Sequence, residues 1–225
     1  MNIFKQIRYY FCESYRRKLL DQYLDKHRSL FSGVVLDIGG RGRGRFVKPK
    51  TQVQKWIFAD INPAHYPDIV LDVAQMDSIE IESIDVICAC ELFEHVEKIE
   101  AGLDECTRVL KIGGRFIISV PFLYLVHSDP HDYQRWTETK WKQELSKRNF
   151  QIEVFSIIGR YFTVLADHLK LFIKAMPEPI RLILYLFLPL IDVLILLDRT
   201  PIVLSSPNLR NAHGGYFIIA TKSAS

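Results

Sequence analysis

The chain has 225 residues, 48% of them hydrophobic and 24% charged, which suits one α/β domain with additions and excludes both a disordered chain and two full domains. A formal net charge of +3 is too slight to argue for nucleic acid, and no nucleic-acid partner is expected. The four cysteines, Cys12, Cys88, Cys90 and Cys106, lack the spacing of a zinc site or redox pair and read as reduced, buried thiols.

The opening stretch "MNIFKQIRYYFCESYRRK" has no unbroken apolar core followed by a small-residue cleavage site. It does not read as a secretory leader, and the expected location is cytoplasmic. Residues 3–29 read instead as helix, with Ile3, Phe4, Ile7, Tyr10, Phe11 and Tyr15 at helical spacing and basic residues between them. Residues 1–32 are thus expected as an N-terminal helical cap. Short β-branched runs then predict strands over 34–38, 56–61, 68–73 and 84–90. A helix follows over 92–110, ending in the basic, glycine-rich "KIGG". Further strands are predicted over 115–120, 151–158 and 215–221, with a helix capped by Thr137 running to about Lys147. Nearly all-apolar strands alternating with helices argue for a sheet covered on both faces. Residues 33–158 and 211–225 form the expected core, interrupted by a long insertion over 159–210.

The stretch "GVVLDIGGRGRGRF" places glycines after the first strand, where backbone approaches a ligand closely and a following helix N-terminus offers free N–H groups. Gly39, Gly40, Gly42 and Gly44 do not match the dinucleotide spacing G-x-G-x-x-G, which disfavours a nucleotide-dependent oxidoreductase. Asp60 at the second strand end is placed to accept both hydroxyls of a ribose, and Asp72 at the third to take an adenine amino group. As solvated turn residues the same two acids would carry no function. Arg41, Arg43 and Arg45 read either as an anion site or as a solvated basic loop.

The blocks "VVLDIGG", "FADI", "LDVAQMD", "IDVICACELFEHV", "CTRVLKIGGRFIISVPF" and "HSDPHDYQRWT" resemble, in order, the class I S-adenosylmethionine-dependent methyltransferases of the small type 11 group. The resemblance implies a Rossmann-like seven-stranded, mostly parallel sheet with helices on both faces and the last strand antiparallel. It also implies S-adenosyl-L-methionine as cofactor. Asp37, Gly39 and Gly40 would line its methionine end, and Asp60, with Ile61 beside it, would hold the ribose. Asp72 and Val73 would meet the adenine, and Cys90 and Glu91 would border the methionine moiety. The chain departs from the usual D-x-G-x-G-x-G, since Arg41 and Arg43 stand where glycines are expected.

The loop after the fifth strand is dense in groups that bind or move protons: His127, Asp129, His131, Asp132, Tyr133 and Arg135. Methyl transfer from a sulfonium mostly requires alignment of the acceptor, but a hydroxyl acceptor must also lose its proton. His127 or His131 is the expected base, with His95 third. Asp132, Tyr133 and Arg135 are expected on the acceptor, a small molecule, a sugar or a lipid-linked glycan. No metal is expected: His127, His131 and Asp132 offer donor atoms, but a loop fixes no geometry for them. A non-catalytic binding module of the same fold, associated with membranes, is the alternative reading.

Residues 180–198, "IRLILYLFLPLIDVLILLD", are apolar on every helical face. As a helix, 182–197 would span only about 24 Å, against a hydrocarbon core of about 30 Å. Pro189 and Asp192 interrupt it, and a single crossing would strand the last strand on the wrong side. The insertion is therefore expected as a helical element lying on a membrane surface through 176–200, a lid over the acceptor pocket, or a homodimer contact.

Overall fold

The computed structural model describes residues 3–40, 42, 44–127 and 130–224. Arg41, Arg43 and Asp129 lie outside the described residues.

The single helix expected over 3–29 is two helices, α1 (Ile3–Cys12) and α2 (Tyr15–Lys26). Ser14 makes the break: its hydroxyl accepts the Arg17 N–H at 3.0 Å and starts a new helix. The chain continues through β1 (Gly33–Ile38), β2 (Val53–Asp60), β3 (Ile69–Val70) and β4 (Ile84–Cys90). It then forms α3 (Ile99–Val109), β5 (Leu110–Pro121), α4 (Glu138–Lys147) and β6 (Phe150–Ile158). The insertion supplies α5 (Tyr161–Ala175), α6 (Ile180–Tyr185), α7 (Leu188–Ile195), α8 (Pro201–Leu204) and α9 (Pro207–Asn211), and β7 (Gly215–Lys222) closes the fold.

The seven strands lie in the order β3-β2-β1-β4-β5-β7-β6, with β7 antiparallel to both neighbours and β1 to β5 mutually parallel. From β1 the chain winds outward one way to β3, then returns to place β4 on β1's other side. That reversal leaves a crevice beyond the carboxyl ends of β1 and β4, where open α/β sheets bind ligands. One face of the sheet packs Leu36, Ile87 and Ile118 against Leu103 and Cys106 of α3 and Trp141 of α4. The other packs Val35, Ile117 and Phe217 against Leu20 and Leu24 of α2.

Several expectations are corrected. The strand expected over 68–73 is only two residues long, and Asp72 follows it in an isolated bridge to Gln75. The helix expected over 92–110 is a 3-10 turn, Phe93–His95, followed by α3. "KIGG" does not end a helix but opens β5, because Ile84 pairs with Leu110 and strand pairing overrides the local helix-stop signal. No helix follows the glycine loop: the described residues from Gly39 to Gln52 are irregular, and α2, from before β1, covers that face instead. Of the thiols, Cys88 and Cys106 are buried, Cys90 is partly so and Cys12 is exposed.

The insertion is tied down by its acids. Asp198 accepts the N–H groups of Arg160, Phe162 and Thr163 and the Thr163 hydroxyl, which caps α5. Asp167 accepts the N–H groups of Tyr15 and Arg16 at 2.5 and 3.0 Å, which caps α2. Asp192 accepts the hydroxyls of Tyr10 and Tyr15, and Lys170 donates to the Tyr10 and Glu13 carbonyls at the end of α1. Thus α1 lies against α6 and α7, while α2 reaches the sheet. No helix among the described residues is long and apolar enough to cross a membrane.

Candidate functional site

The turn after β1 brings backbone to the crevice. Gly39 has φ +70°, a conformation favouring glycine, and its N–H donates to the Ala59 carbonyl at 2.8 Å. At Gly40 a Cβ would lie 1.7 Å from an Asp37 carboxylate oxygen, so only glycine fits. The Asp37 carboxylate accepts from Trp56 Nε1 at 2.9 Å and pairs with Lys48 at 2.8 Å. Burial still pushes it above its ordinary value.

Two hollows meet at Gly39. The larger, about 840 Å³, is lined by Gly39, Asp60, Ile61, Asp72 and Val73 and also by Glu91, His95, His131 and Tyr133. The smaller, about 50 Å³, is lined by Asp37, Gly40, Cys90, Lys48 and Arg17. Asp60, only 7% exposed, accepts the Asn62 N–H at 2.9 Å and sits 3.0 Å from His65 Nδ1. A carboxylate has about four lone-pair sites, so capacity for a ligand remains. Asp72 accepts the Ala74 N–H at 2.8 Å, an Asx turn at the cavity's edge.

At the end of β4, Glu91 adopts φ +58°, a strained conformation for a non-glycine residue. Three contacts hold it: its N–H donates to the Ser119 carbonyl at 2.7 Å, the Ser119 hydroxyl donates to its carboxylate at 2.6 Å, and Arg16 forms a buried ion pair with it. The Arg16 guanidinium also stacks 4.6 Å over the Tyr124 ring.

Beyond β5, Asp132 binds Arg135 through both oxygens and accepts the His127 N–H at 3.0 Å. The Arg135 hydrogen bonds hold Asp132 well below its ordinary value. This pair braces the loop; neither residue lines the large cavity, nor does His127. His131 and Tyr133 do line it, and the Tyr133 N–H donates to the Glu94 carbonyl at 2.8 Å, pinning the loop to the turn after β4. Arg45, the described member of the arginine run, is exposed, with its guanidinium 5.2 Å from the Tyr9 ring centroid. No residue of the insertion lines either cavity.

Sequence reasoning missed several residues of this region. Asn62 caps and His65 ends a short 3-10 turn, Pro63–His65, just after Asp60, and Arg16 and Arg17 come from a helix placed by tertiary packing. Glu94 lies inside "ELFEHV" and was legible as an acid beside His95, but its burial was not. It is 2% exposed, and burial with the adjoining Glu91 carboxylate pushes it well above the ordinary range. The His95 and His127 rings stand 5.0 Å apart, edge to face.

Comparison with known proteins fits this geometry. Residues 37–118 match the family described as methyltransferase domain. No curated protein matches the chain. Among solved structures, a SAM-dependent methyltransferase from Archaeoglobus fulgidus superposes with a TM-score of 0.59 at 19% identity, over 98% of this chain and 100% of that one. The geranyl diphosphate C-methyltransferase from Streptomyces coelicolor A3(2), solved with Mg2+, geranyl diphosphate and S-adenosyl-L-homocysteine, gives 0.57 at 12% identity, over 91% and 78%. The [4+2]-cyclase SpnF gives 0.58 at 12% identity, over 92% and 80%, so the same fold also carries other chemistry.

Proposed function

We propose that the chain is a class I S-adenosylmethionine-dependent methyltransferase that methylates a hydroxyl group of a small-molecule, sugar or lipid-linked glycan acceptor, a reading supported by the methyltransferase-domain match over residues 37–118 and by the fold. The observation that carries this reading is that Asp60, Asp72, His95 and His131 all line one cavity of about 840 Å³. That volume is near the top of the usual range of about 300–1,000 Å³ for ligand pockets, which leaves room for a nucleoside and a second ligand.

In this reading the adenosine lies between Gly39, Asp60, Ile61, Asp72 and Val73. Asp37, Gly40, Cys90 and Glu91 border the methionine end, with Arg17 near the carboxylate. The acceptor oxygen attacks the methyl carbon in line. An O–C bond forms, the C–S bond breaks, the sulfonium becomes a neutral thioether, and the hydroxyl proton passes to a histidine. His131 is the proposed base because it lines the cavity, whereas His127 does not and the His95 ring is already bonded through Nδ1 to the His131 carbonyl. Asp132 and Arg135 brace the loop that carries it.

The apolar faces of α6 and α7, with Ile3, Phe4 and Ile7 of α1, rest on a membrane surface in this reading. Leu186 is 77% and Leu190 66% exposed, and exposed Lys5 and Arg8 on α1 suit an anionic headgroup layer. A lipid-linked acceptor would be met there.

Incubating the chain with methyl-labelled S-adenosylmethionine and cell extract tests the reaction class. Label in a base-stable ether is expected, and His131→Ala should slow transfer by about 10²–10⁴-fold. Label confined to nitrogen or carbon would overturn the hydroxyl assignment.

A further inference from the structure

Beside the large cavity, Glu94, His95 and His127 each offer one ligand atom, and these atoms lie within 4.8 Å of one another. We propose that they hold a divalent first-row transition metal, with zinc the best match to two imidazoles and a carboxylate. The proposal deepens the methyltransferase reading and rests on it only for what the metal would do.

The first support is Glu94 itself. It is 2% exposed, and neither carboxylate oxygen has a hydrogen-bond partner among the described residues. Buried carboxylates are ordinarily paired or bound to a metal. The neighbouring charges are already matched, Glu91 with Arg16 and Asp132 with Arg135. No lysine or arginine among the described residues forms an ion pair with Glu94, and a dication would bind its carboxylate in place of a proton.

The second support is the state of the two imidazoles. His95 Nδ1 lies 2.5 Å from the His131 carbonyl oxygen, which can only accept, so Nδ1 carries the proton and Nε2 keeps its lone pair. His127 Nδ1 lies 3.1 Å from the Leu125 carbonyl, with the Asp132 carboxylate 3.4 Å away, and the same logic frees its Nε2. Metal-ligating histidines are oriented in this way by acceptors behind the ring. His95 Nε2 stands 3.7 Å from a Glu94 oxygen. Two ligands on a tetrahedral metal with bonds of about 2.0–2.1 Å stand about 3.4 Å apart, so this pair needs little movement, and the His127 side chain must close the rest of the gap.

Three protein ligands leave a position open, as in catalytic rather than structural zinc sites. His95 lines the cavity, so a metal on its Nε2 borders the acceptor end. An acceptor hydroxyl or anionic oxygen bound there would be held in place and made more acidic, which leaves His131 as the group that receives its proton.

The test is metal binding by the intact chain. After chelation and dialysis, Co2+ is titrated with visible absorption as the readout, and Zn2+ is counted by elemental analysis. One equivalent is expected, with the absorption bands of a nitrogen- and oxygen-ligated cobalt. Glu94→Gln and His127→Ala should each weaken binding by more than about tenfold, while His168→Ala on the exposed face of α5 should not. His127 is the more exposed ligand, so its variant keeps the test informative should Glu94→Gln not fold. S-adenosylhomocysteine binding is measured on the same samples. S-adenosylhomocysteine binding without metal binding overturns the metal site alone. Metal binding without it upholds the site and counts against the methyltransferase reading. Equal metal binding by wild type and both ligand variants overturns the site.

Discussion

Arg16, on a helix that precedes the sheet, is paired with Glu91 at the end of β4, and both are buried. The pair links the N-terminal helices to the crevice. Asp167 of the insertion caps the same helix at Tyr15 and Arg16, so the insertion, α2 and the strained Glu91 form one mechanical chain. Removing Arg16 leaves a buried, unpaired carboxylate. Arg16→Ala should therefore cost about 3–5 kcal/mol of stability by urea unfolding. Adding Glu91→Gln should return part of that loss. Burial alone would push Glu91 up, but Arg16 and Ser119 outweigh it and hold it below its ordinary 4.5. Its stabilising effect is thus present above pH 4.5 and lost as pH falls through the depressed value, and Arg16→Ala should abolish this acid limb.

Lys170 gives the opposite dependence. Burial lowers it from 10.5 to about 8, Lys18 adds to the shift, and Asp167 and Asp192 oppose it. The unfolded chain keeps this proton up to 10.5, whereas the folded chain releases it near 8. Between those values the unfolded state binds more protons, so this group makes stability rise with pH. Lys170→Met should flatten that rise when unfolding is followed from about pH 8 to pH 10. Above pH 10 the tyrosines Tyr9 and Tyr10, partly buried, and Tyr15, buried, all raised, act in the other direction.

Gly40 and Gly42 make a matched pair. A Cβ at Gly40 would strike Asp37, which Trp56 and Lys48 hold, while one at Gly42 meets nothing within 4 Å. Gly40→Ala should destabilise by about 1–3 kcal/mol and weaken S-adenosylhomocysteine binding. Gly42→Ala should change stability by less than about 0.5 kcal/mol. Thermal unfolding with and without the ligand separates the two.

The apolar face of the insertion predicts flotation with anionic vesicles. Leu186→Asp with Leu190→Asp touches only exposed positions, so the fold should survive and flotation should fall sharply. An intact chain that stays at the bottom of the gradient contradicts membrane contact, and a dimer by sedimentation would assign the face to a second copy.

Much of the sheet was legible because its strands are short apolar runs ended by acids and glycines, as at "VVLDIGG" and "IDVICAC". What failed was local. "KIGG" carries a helix-stop signal, yet pairing of Leu110 with Ile84 makes it strand. The glycine loop suggested a following helix, but α2 already occupies that face through Leu20 and Leu24. The cavity acids Asp60 and Asp72 were visible from strand ends. The Glu94, His95 and His127 group was not, because no sequence spacing connects a turn after β4 with a loop after β5. The acids of the insertion looked like obstacles to membrane insertion, and Asp192 proves to be the acceptor for two tyrosines.

Gly39, Asp60 and Asp72 line one cavity, proposed above to take the adenosine. Titration calorimetry with S-adenosylhomocysteine on wild type and Asp60→Ala tests it most directly. One ligand per chain is expected, with a loss of about tenfold or more in the variant, worth about 1.4 kcal/mol. A folded wild type that takes up no ligand, or a variant that binds as tightly, would contradict it.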